Sequence, residues 1–454
     1  MKTPICDFVK EYNDKNKLRL HMPGHKGKSH LGFEALDITE IPGADVLYDS
    51  DGVILESERN ASSIFGTEKT LYSTEGSSLA IRAMLYLLKL YAQDKGCDSL
   101  KVLAARNAHK TFMSGASLLN IDVDFISPES SSLLSCNITP RLLEERIAEL
   151  RKNEQSDLCL AVYVTSPDYL GNILDIAGLS KVCEKYGALL VVDNAHGAYL
   201  NFLESSQHPI HLGAHMCCDS AHKTLPVLTG GAYLHISKSA PKFLADQAER
   251  ALQMFASTSP SYIIMQSLDM ANRYIDNGYP EKLNKFVKKL SDLKVNLKKF
   301  GYTFVGDEPL KLTLLTKPYG YRGNEFAEIL SRNGIECEFY DPDYVVTMLT
   351  PELTEMELRK IYDVLRNIER KESLLDREPQ PRLPKAEKLM SLYEAMLKPS
   401  YECKVSCAKG KILASPSVAC PPAIPILICG ERIDKDAIDC FNYYGIKTVS
   451  VVKE

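Results

Sequence analysis

Four short stretches of this chain carry residue types that do chemistry. In "DSAHKTLPVLTGG" (219–231), Lys223 sits between a histidine and a threonine, ahead of an apolar run and a glycine pair. A lysine in so uncharged a setting is either a surface residue on an ordinary loop or an amine held in a pocket to form a Schiff base. Thirty residues earlier, "VVDNAHGAY" (191–199) puts Asp193 at the end of an apolar run. Burying a lone carboxylate is costly unless it is paired. A structural salt bridge would pair it; so would a pyridinium nitrogen, which keeps it ionised. In "YSTEGSSLAIRA" (72–83), Gly76 permits close backbone approach, and Ser77 and Ser78 offer hydroxyl and N–H groups. That is a phosphate site at a helix start, or simply a capped helix. "ARNAHKTF" (105–112) places His109 beyond another apolar run, as a structural histidine or one lying flat on an aromatic ligand.

The elements that must position these residues are legible too. "SLKVLAAR" (99–106), "LCLAVYVTS" (158–166) and "ALLVVDNAHG" (188–197) are continuous, Val- and Leu-rich runs, the pattern of buried strands. One more strand is expected in "HLGAHMCCDS", ending at Ser220. Helical patterns lie between them: "SSLAIRAMLYLLKLYAQ" (77–93), and "TPRLLEERIAELRKN" (139–153) with Thr139 at its N-cap. The alternation predicts an α/β domain on a mostly parallel sheet, with its site at the strand ends. A long helical region is expected over 263–300, then a smaller α/β unit with strands "KLTLLTKP" (311–318) and "YVVTMLTP" (344–351) and a helix in "TEMELRKIYDVLRNIERKE" (354–372). "REPQPRLPKAEK" (377–388) reads as a linker, and the remainder as a strand-rich C-terminal lobe. In chain order the four stretches supply a phosphate-binding turn, a stacking imidazole, a buried carboxylate and an amine. Pyridoxal 5'-phosphate needs that set: one partner each for phosphate, ring face, ring nitrogen and aldehyde.

Composition narrows the class. The 454 residues are 45% hydrophobic and 25% charged with a net charge of -5, an ordinary globular profile without the basic footprint that nucleic acid or an anionic membrane requires. The first twenty residues are charged throughout, unlike a signal peptide, and no apolar run reaches the roughly eighteen residues of a membrane span. The thirteen cysteines follow no repeating frame; Cys217-Cys218 and Cys403-x-x-x-Cys407 lack a matching second pair. Reduced thiols in a cytoplasmic protein, with no metal site, are expected.

The motifs resemble those of the Orn/Lys/Arg decarboxylases. The matching stretches are "HMPGHKG" (21–27), "DITEIPGAD" (37–45), "TEGSSLA" (74–80), "RNAHKT" (106–111), "TSPDYLG" (165–171), "DNAHGAYL" (193–200), "SAHKTLPVLTGGAYLH" (220–235) and "STSPSYIIMQSLD" (257–269). "CPPAIPILICGERI" (420–433) is similar to the family's C-terminal signature. The resemblance implies a fold type I enzyme, with an N-terminal segment over 1–60, a cofactor-binding large domain over 61–300, a small α/β domain over 301–376, the linker 377–388 and a C-terminal lobe over 389–454. It implies that Lys223 holds pyridoxal phosphate covalently and that Asp193 pairs with the ring nitrogen. His109 and Ala195 would lie on the two ring faces. Gly76, Ser77, Ser78, Ser220 and His222 would hold the phosphate, and Thr258 and Ser259 would reach the phosphate of a partner subunit. Lys223 or His222 would return the proton after CO2 leaves. A basic amino acid is the implied substrate, arginine slightly ahead of lysine and ornithine, with polyamine precursors as products.

This sequence departs from the family pattern at Glu75, Asn194, Ala221, Asp168, in "DVLY" (45–48), and at Cys420 and Ala423. Several departures fall where the family shapes its substrate pocket. Carboxylates available for a substrate's distal cation are Asp168, Glu338, Asp341 and Glu431, with Glu40 of a partner subunit. The chain begins at the "MPGHK" region, without the family's N-terminal wing domain, so a homodimer or dimer of dimers with shared sites is expected. Two rival readings stand beside this one. The same cofactor can run transamination or side-chain cleavage, with Arg322 and Arg332 available for an α-carboxylate. Alternatively, the substitutions mark a degenerate homologue that binds cofactor without turning over.

Overall fold

Seven strands make a mostly parallel sheet: β1 (Lys69–Ser73), β2 (Ser99–Ala105), β3 (Asp122–Ile126), β4 (Leu158–Thr165), β5 (Leu189–Asp193), β6 (Met216–Asp219) and β7 (Ala232–Ile236). The computed structural model describes residues 1–97, 99–127, 136–153, 158–418 and 424–453. The chain divides into two units, Met1–Ser99 with Cys183–Lys282, and Leu100–Val182 with Leu283–Glu454.

In the first unit the strand order is β1-β7-β6-β5. β5 and β6 run parallel, while β7 is antiparallel to both its neighbours. All five residues of β5 and all four of β6 are buried, which is why both read as apolar runs without alternation. Helix Gly76–Asp94 buries Leu79, Ala80, Ala83, Met84, Leu87 and Leu88, a stripe at helical spacing that packs on β6, β7 and helix Lys242–Gln253. The helical region expected over 263–300 is two helices, Tyr262–Asp276 and Tyr279–Lys298. The break falls at Gly278, whose φ of +91° leaves the right-handed helical region. β6 is shorter than the stretch "HLGAHMCCDS", because residues 211–215 form a turn before the ladder starts.

In the second unit β2 pairs parallel with β3. A separate sheet of β8 (Thr303–Val305), β9 (Lys311–Leu315), β10 (Phe339–Tyr340) and β11 (Tyr344–Met348) has the order β10-β11-β9-β8 and is antiparallel throughout. Helix Glu355–Asn367 opens on Thr354, whose hydroxyl accepts the Glu357 N–H while Glu357 reaches back. Residues 377–388 form no helix or strand beyond a single bridge from Lys388 to Glu431. Beyond them, strand Ser400–Lys404 pairs antiparallel with Thr448–Val452, and Val405, Leu413, Ile426, Phe441 and Val451 lead a local core. Cys420 and Ala423 of the C-terminal signature lie outside the described residues. All described cysteines are free thiols, and no described helix is long and apolar enough to cross a membrane.

Candidate active site

β5 delivers Asp193 to its C-terminal end, 2% exposed. One carboxylate oxygen, Oδ1, accepts the Ala195 N–H at 3.2 Å and lies 3.6 Å from Cys218 Sγ. The next residue, Asn194, donates its side-chain amide to Asp219 Oδ1 on β6 at 2.6 Å. Three residues on, a Cβ at position 197 would fall 2.0 Å from Asn194 Oδ1, so glycine is what leaves room for this amide.

β6 ends at Asp219 and leads through Ser220 into the single helical turn Ala221–Thr224, which carries His222 and Lys223. Ser220 Oγ donates to Ser77 Oγ at 2.9 Å, tying this turn to the start of helix Gly76–Asp94. The Gly76 N–H donates to the Gly230 carbonyl at 2.7 Å. Gly230 has φ +100°, and a Cβ there would press on the Thr74 carbonyl at 2.9 Å. Lys223 Nζ lies 3.0 Å from His196 Nε2. His222 points Nδ1 at the Gly231 carbonyl, 2.9 Å away. A carbonyl only accepts, so Nδ1 carries the hydrogen; burial lowers the His222 pKa, opposed by that carbonyl and reinforced by the Lys223 charge. The neutral ring therefore offers Nε2 as a lone pair.

The first unit thus brings Gly76, Ser77, Ser220, His222 and Lys223 together at the head of β6, beside Asp193 and Ala195 at the head of β5. Ser78 is half-buried in the same helical turn as Ser77. Thr258 and Ser259 are exposed on a loop whose Ser257 N–H donates to Glu75 Oε1 at 2.7 Å. Glu75 is thereby a tether for that loop. Glu40 is exposed.

The second unit holds the remaining expected residues. His109 caps helix Lys110–Leu118, its Nδ1 accepting the Thr111 N–H at 3.3 Å, with the ring exposed. Asp168 is buried and accepts from the Leu170 and Asn172 N–H groups and the Asn172 amide, so it closes its own turn. Burial raises its pKa and those hydrogen bonds oppose the rise. Asp341 accepts the Asp343 and Tyr344 N–H groups, and burial pushes it up to about 7. Glu431 gives both oxygens to the Arg106 guanidinium, at 2.6 and 2.7 Å, in a pair only 5% and 8% exposed. Glu338 is exposed and accepts from the Tyr169 hydroxyl. Arg322 is bidentate to Glu378, and Arg332 pairs with Glu328.

Sequence reasoning missed His196 and Arg106. His196 lies inside a quoted motif, three residues after Asp193, but no spacing rule pairs it with a lysine twenty-seven positions away. Arg106 directly follows β2 and reveals its role only through a partner 325 positions on.

What these side chains offer suits a phosphorylated aromatic aldehyde: hydroxyls at a helix N-terminus, an amine in a fixed turn and a buried carboxylate. A family model described as the major domain of the Orn/Lys/Arg decarboxylases matches residues 3–304. The chain belongs to that family. Orn/Lys/Arg decarboxylases are pyridoxal-phosphate enzymes of fold type I, and the present sheet is of that kind. The chain is 26% identical over 475 residues to the uncharacterized protein YaaO of Bacillus subtilis, covering 96% of this chain and 93% of that protein. It is 25% identical over 467 residues to the arginine decarboxylase of Bacillus subtilis, covering 96% and 92%. Among solved structures, the Francisella novicida lysine decarboxylase LdcF superposes with a TM-score of 0.81 at 16% identity, over 99% of this chain and 81% of that one.

Proposed function

We propose that this protein decarboxylates a basic amino acid, arginine foremost, with pyridoxal phosphate held covalently on Lys223. The carrying observation is the placement of the Lys223 amine against His196 in a turn fastened at Ser220 to Ser77, within a family of such decarboxylases. Relatives of near-equal length named arginine decarboxylase supply the substrate preference.

When bound, the cofactor supplies an electron sink for the carbanion left as CO2 departs. Asp193 is the group that would hold the ring nitrogen protonated, because a buried carboxylate favours a cationic partner. Gly76, Ser77, Ser78 and Ser220 would take the phosphate, with the helix N-terminus adding its positive end. His109 and Ala195 are assigned to the ring faces. His196 Nε2 is placed to accept the proton that Lys223 sheds before its nitrogen becomes nucleophilic. Lys223 is the stronger candidate for returning a proton to carbon, because His222 donates from Nε2 only after it has been protonated. Glu431 and Asp168 have both oxygens engaged within the chain and Asp341 is buried with Oδ1 taking two N–H groups, which leaves the exposed Glu338, and Glu40 from a partner subunit, for the substrate's distal cation. Thr258 and Ser259 are assigned to a partner subunit's phosphate, in a homodimer with shared sites. Both arginines that a transaminase would use are already paired with glutamates, which favours decarboxylation.

Product identification tests this. The protein with pyridoxal phosphate is given arginine, lysine and ornithine in parallel, and CO2 and amine are measured. One amine, abolished by Lys223→Ala together with the visible absorption of the lysine-bound cofactor, is expected. Bound cofactor with no amine from any of the three would overturn the reading.

A further inference from the structure

Behind the head of β6, on the same unit, lies a second constellation that decarboxylation does not use. His208, Cys217, Asp219 and His235 are each fully buried, and one ligand-type atom from each lies within 4.8 Å of the other three. Strand geometry assembles it. Cys217 and Asp219 are two apart on β6 and share a face. His235 sits directly opposite Cys217 in the antiparallel β6–β7 register, so it shares that face too. His208 arrives from the loop preceding β6, and the Phe65 ring packs on both imidazoles, 5.7 and 4.6 Å between centroids.

Both imidazoles aim Nε2 at one oxygen, Asp219 Oδ2, from 3.0 and 3.1 Å. The other oxygen is occupied by Asn194, so the carboxylate presents Oδ2 alone. His235 Nδ1 lies 2.9 Å from Thr70 Oγ1, which lies 2.7 Å from Thr67 Oγ1, which donates to the Ser62 carbonyl at 3.4 Å. Two imidazole nitrogens, one sulfur and the single carboxylate oxygen left open by Asn194 thus lie within reach of one cation, in a region sealed from water where positive charge would offset the burial of the carboxylate.

We infer that His208, Cys217, Asp219 and His235 form a buried, closed site for one divalent transition metal of the zinc class. Two imidazoles, one thiolate and a monodentate carboxylate are a four-coordinate zinc-type donor set. The second layer matches what ligating groups require: Thr70 orients His235 through its far nitrogen, and Asn194 orients the carboxylate. A divalent ion with one thiolate and one carboxylate is neutral overall, so its burial leaves no net charge in the core. No partner is present for His208 Nδ1 among the described residues, which makes His208 the less constrained of the two imidazole ligands. The site pins β6, β7 and the preceding loop together immediately before the turn that bears Lys223. It stands independently of the reaction proposed above.

Because the four side chains are sealed, the metal has to enter as the chain folds. The full-length protein is therefore expressed in zinc- or cobalt-supplemented medium, purified without a metal-affinity tag and dialysed against EDTA. The expected result is one metal ion per chain by mass spectrometry. The cobalt form should show the visible bands of a four-coordinate ion and a near-ultraviolet thiolate band, and Cys217→Ser should lose only the latter. His208→Gln/His235→Gln should carry trace metal and melt lower. Wild-type protein that folds with no more metal than this double variant, or cobalt protein without the thiolate band, overturns the inference. If the double variant fails to fold, the wild-type stoichiometry and the Cys217→Ser spectrum still decide.

Discussion

Glu431→Gln separates a structural carboxylate from one that meets substrate. In the second unit Glu431 is bidentate to Arg106 and also accepts the Ile428 N–H at 2.8 Å, while Arg106 reaches the Ile426 carbonyl at 3.3 Å. Glutamine keeps the shape and one acceptor but strands the guanidinium, which is 5% exposed, without a counter-charge. Breaking a buried pair from one side costs about 3–5 kcal/mol, because the surviving ion has lost its water and its partner together. That is a large share of a typical net stability of about 5–15 kcal/mol. Replacing both ends with apolar residues, Arg106→Met with Glu431→Leu, should recover most of the loss, since no charge then remains buried. The chain has no tryptophan, so unfolding is best followed by circular dichroism in guanidinium chloride, with cofactor saturating. The reasoning fails if Glu431→Gln raises the KM for a basic amino acid while stability stays within about 0.5 kcal/mol of the parent.

Asp193→Asn should lower kcat by about 10²–10³-fold, the usual cost of losing one preorganised electrostatic partner, with KM far less affected; a KM-only change would contradict its assignment to the ring nitrogen. Gly197→Ala places a Cβ 2.0 Å from Asn194 Oδ1 and 2.8 Å from Leu200 Cδ1, so a loss of about 1–3 kcal/mol is expected in denaturant melts. Glu58 is fully buried and accepts the Tyr72 N–H; burial raises its pKa from 4.5 to about 8, opposed by that hydrogen bond. The folded chain holds this proton more tightly than the unfolded one. Its contribution is therefore full below pH 4.5 and is lost as pH rises to about 8. Glu58→Gln keeps the acceptor and removes the titration, so the stability difference between parent and variant should shift in the variant's favour across that interval; a flat difference would show that the carboxyl is not held neutral.

The strands that frame the site were readable because both faces of β5 and β6 are buried, which writes continuous apolar runs into the sequence and leaves Asp193 conspicuous at the end of one. The helix opening at Gly76 was readable for the complementary reason, a small polar cluster preceding a periodic stripe. The fates of the acidic residues were not readable. Asp168 closes its own turn and Glu431 binds an arginine more than three hundred residues away, yet in sequence both look like any other carboxylate. Asn194 and Glu75 read as departures from a pattern; in three dimensions each makes a specific hydrogen bond, to Asp219 and to the loop of Thr258. The convergence of His208 and His235 on one oxygen depends on strand register and a loop, neither of which leaves a local spacing signal.

The connection between β6 and β7 has a kinetic consequence. It runs over residues 220–231, it joins neighbouring antiparallel strands with a single helical turn and no crossover, and it is stapled near both ends: the His222 N–H to the Gly231 carbonyl, Gly76 to Gly230, and Ser220 to Ser77. The main chain at Lys223 is thereby clamped, and only the four-carbon arm is left to travel. In the reaction proposed above, release and return of the Lys223 nitrogen would need only rotation about its own side-chain bonds, with no loop to open or refold. The lysine would work on a fixed tether.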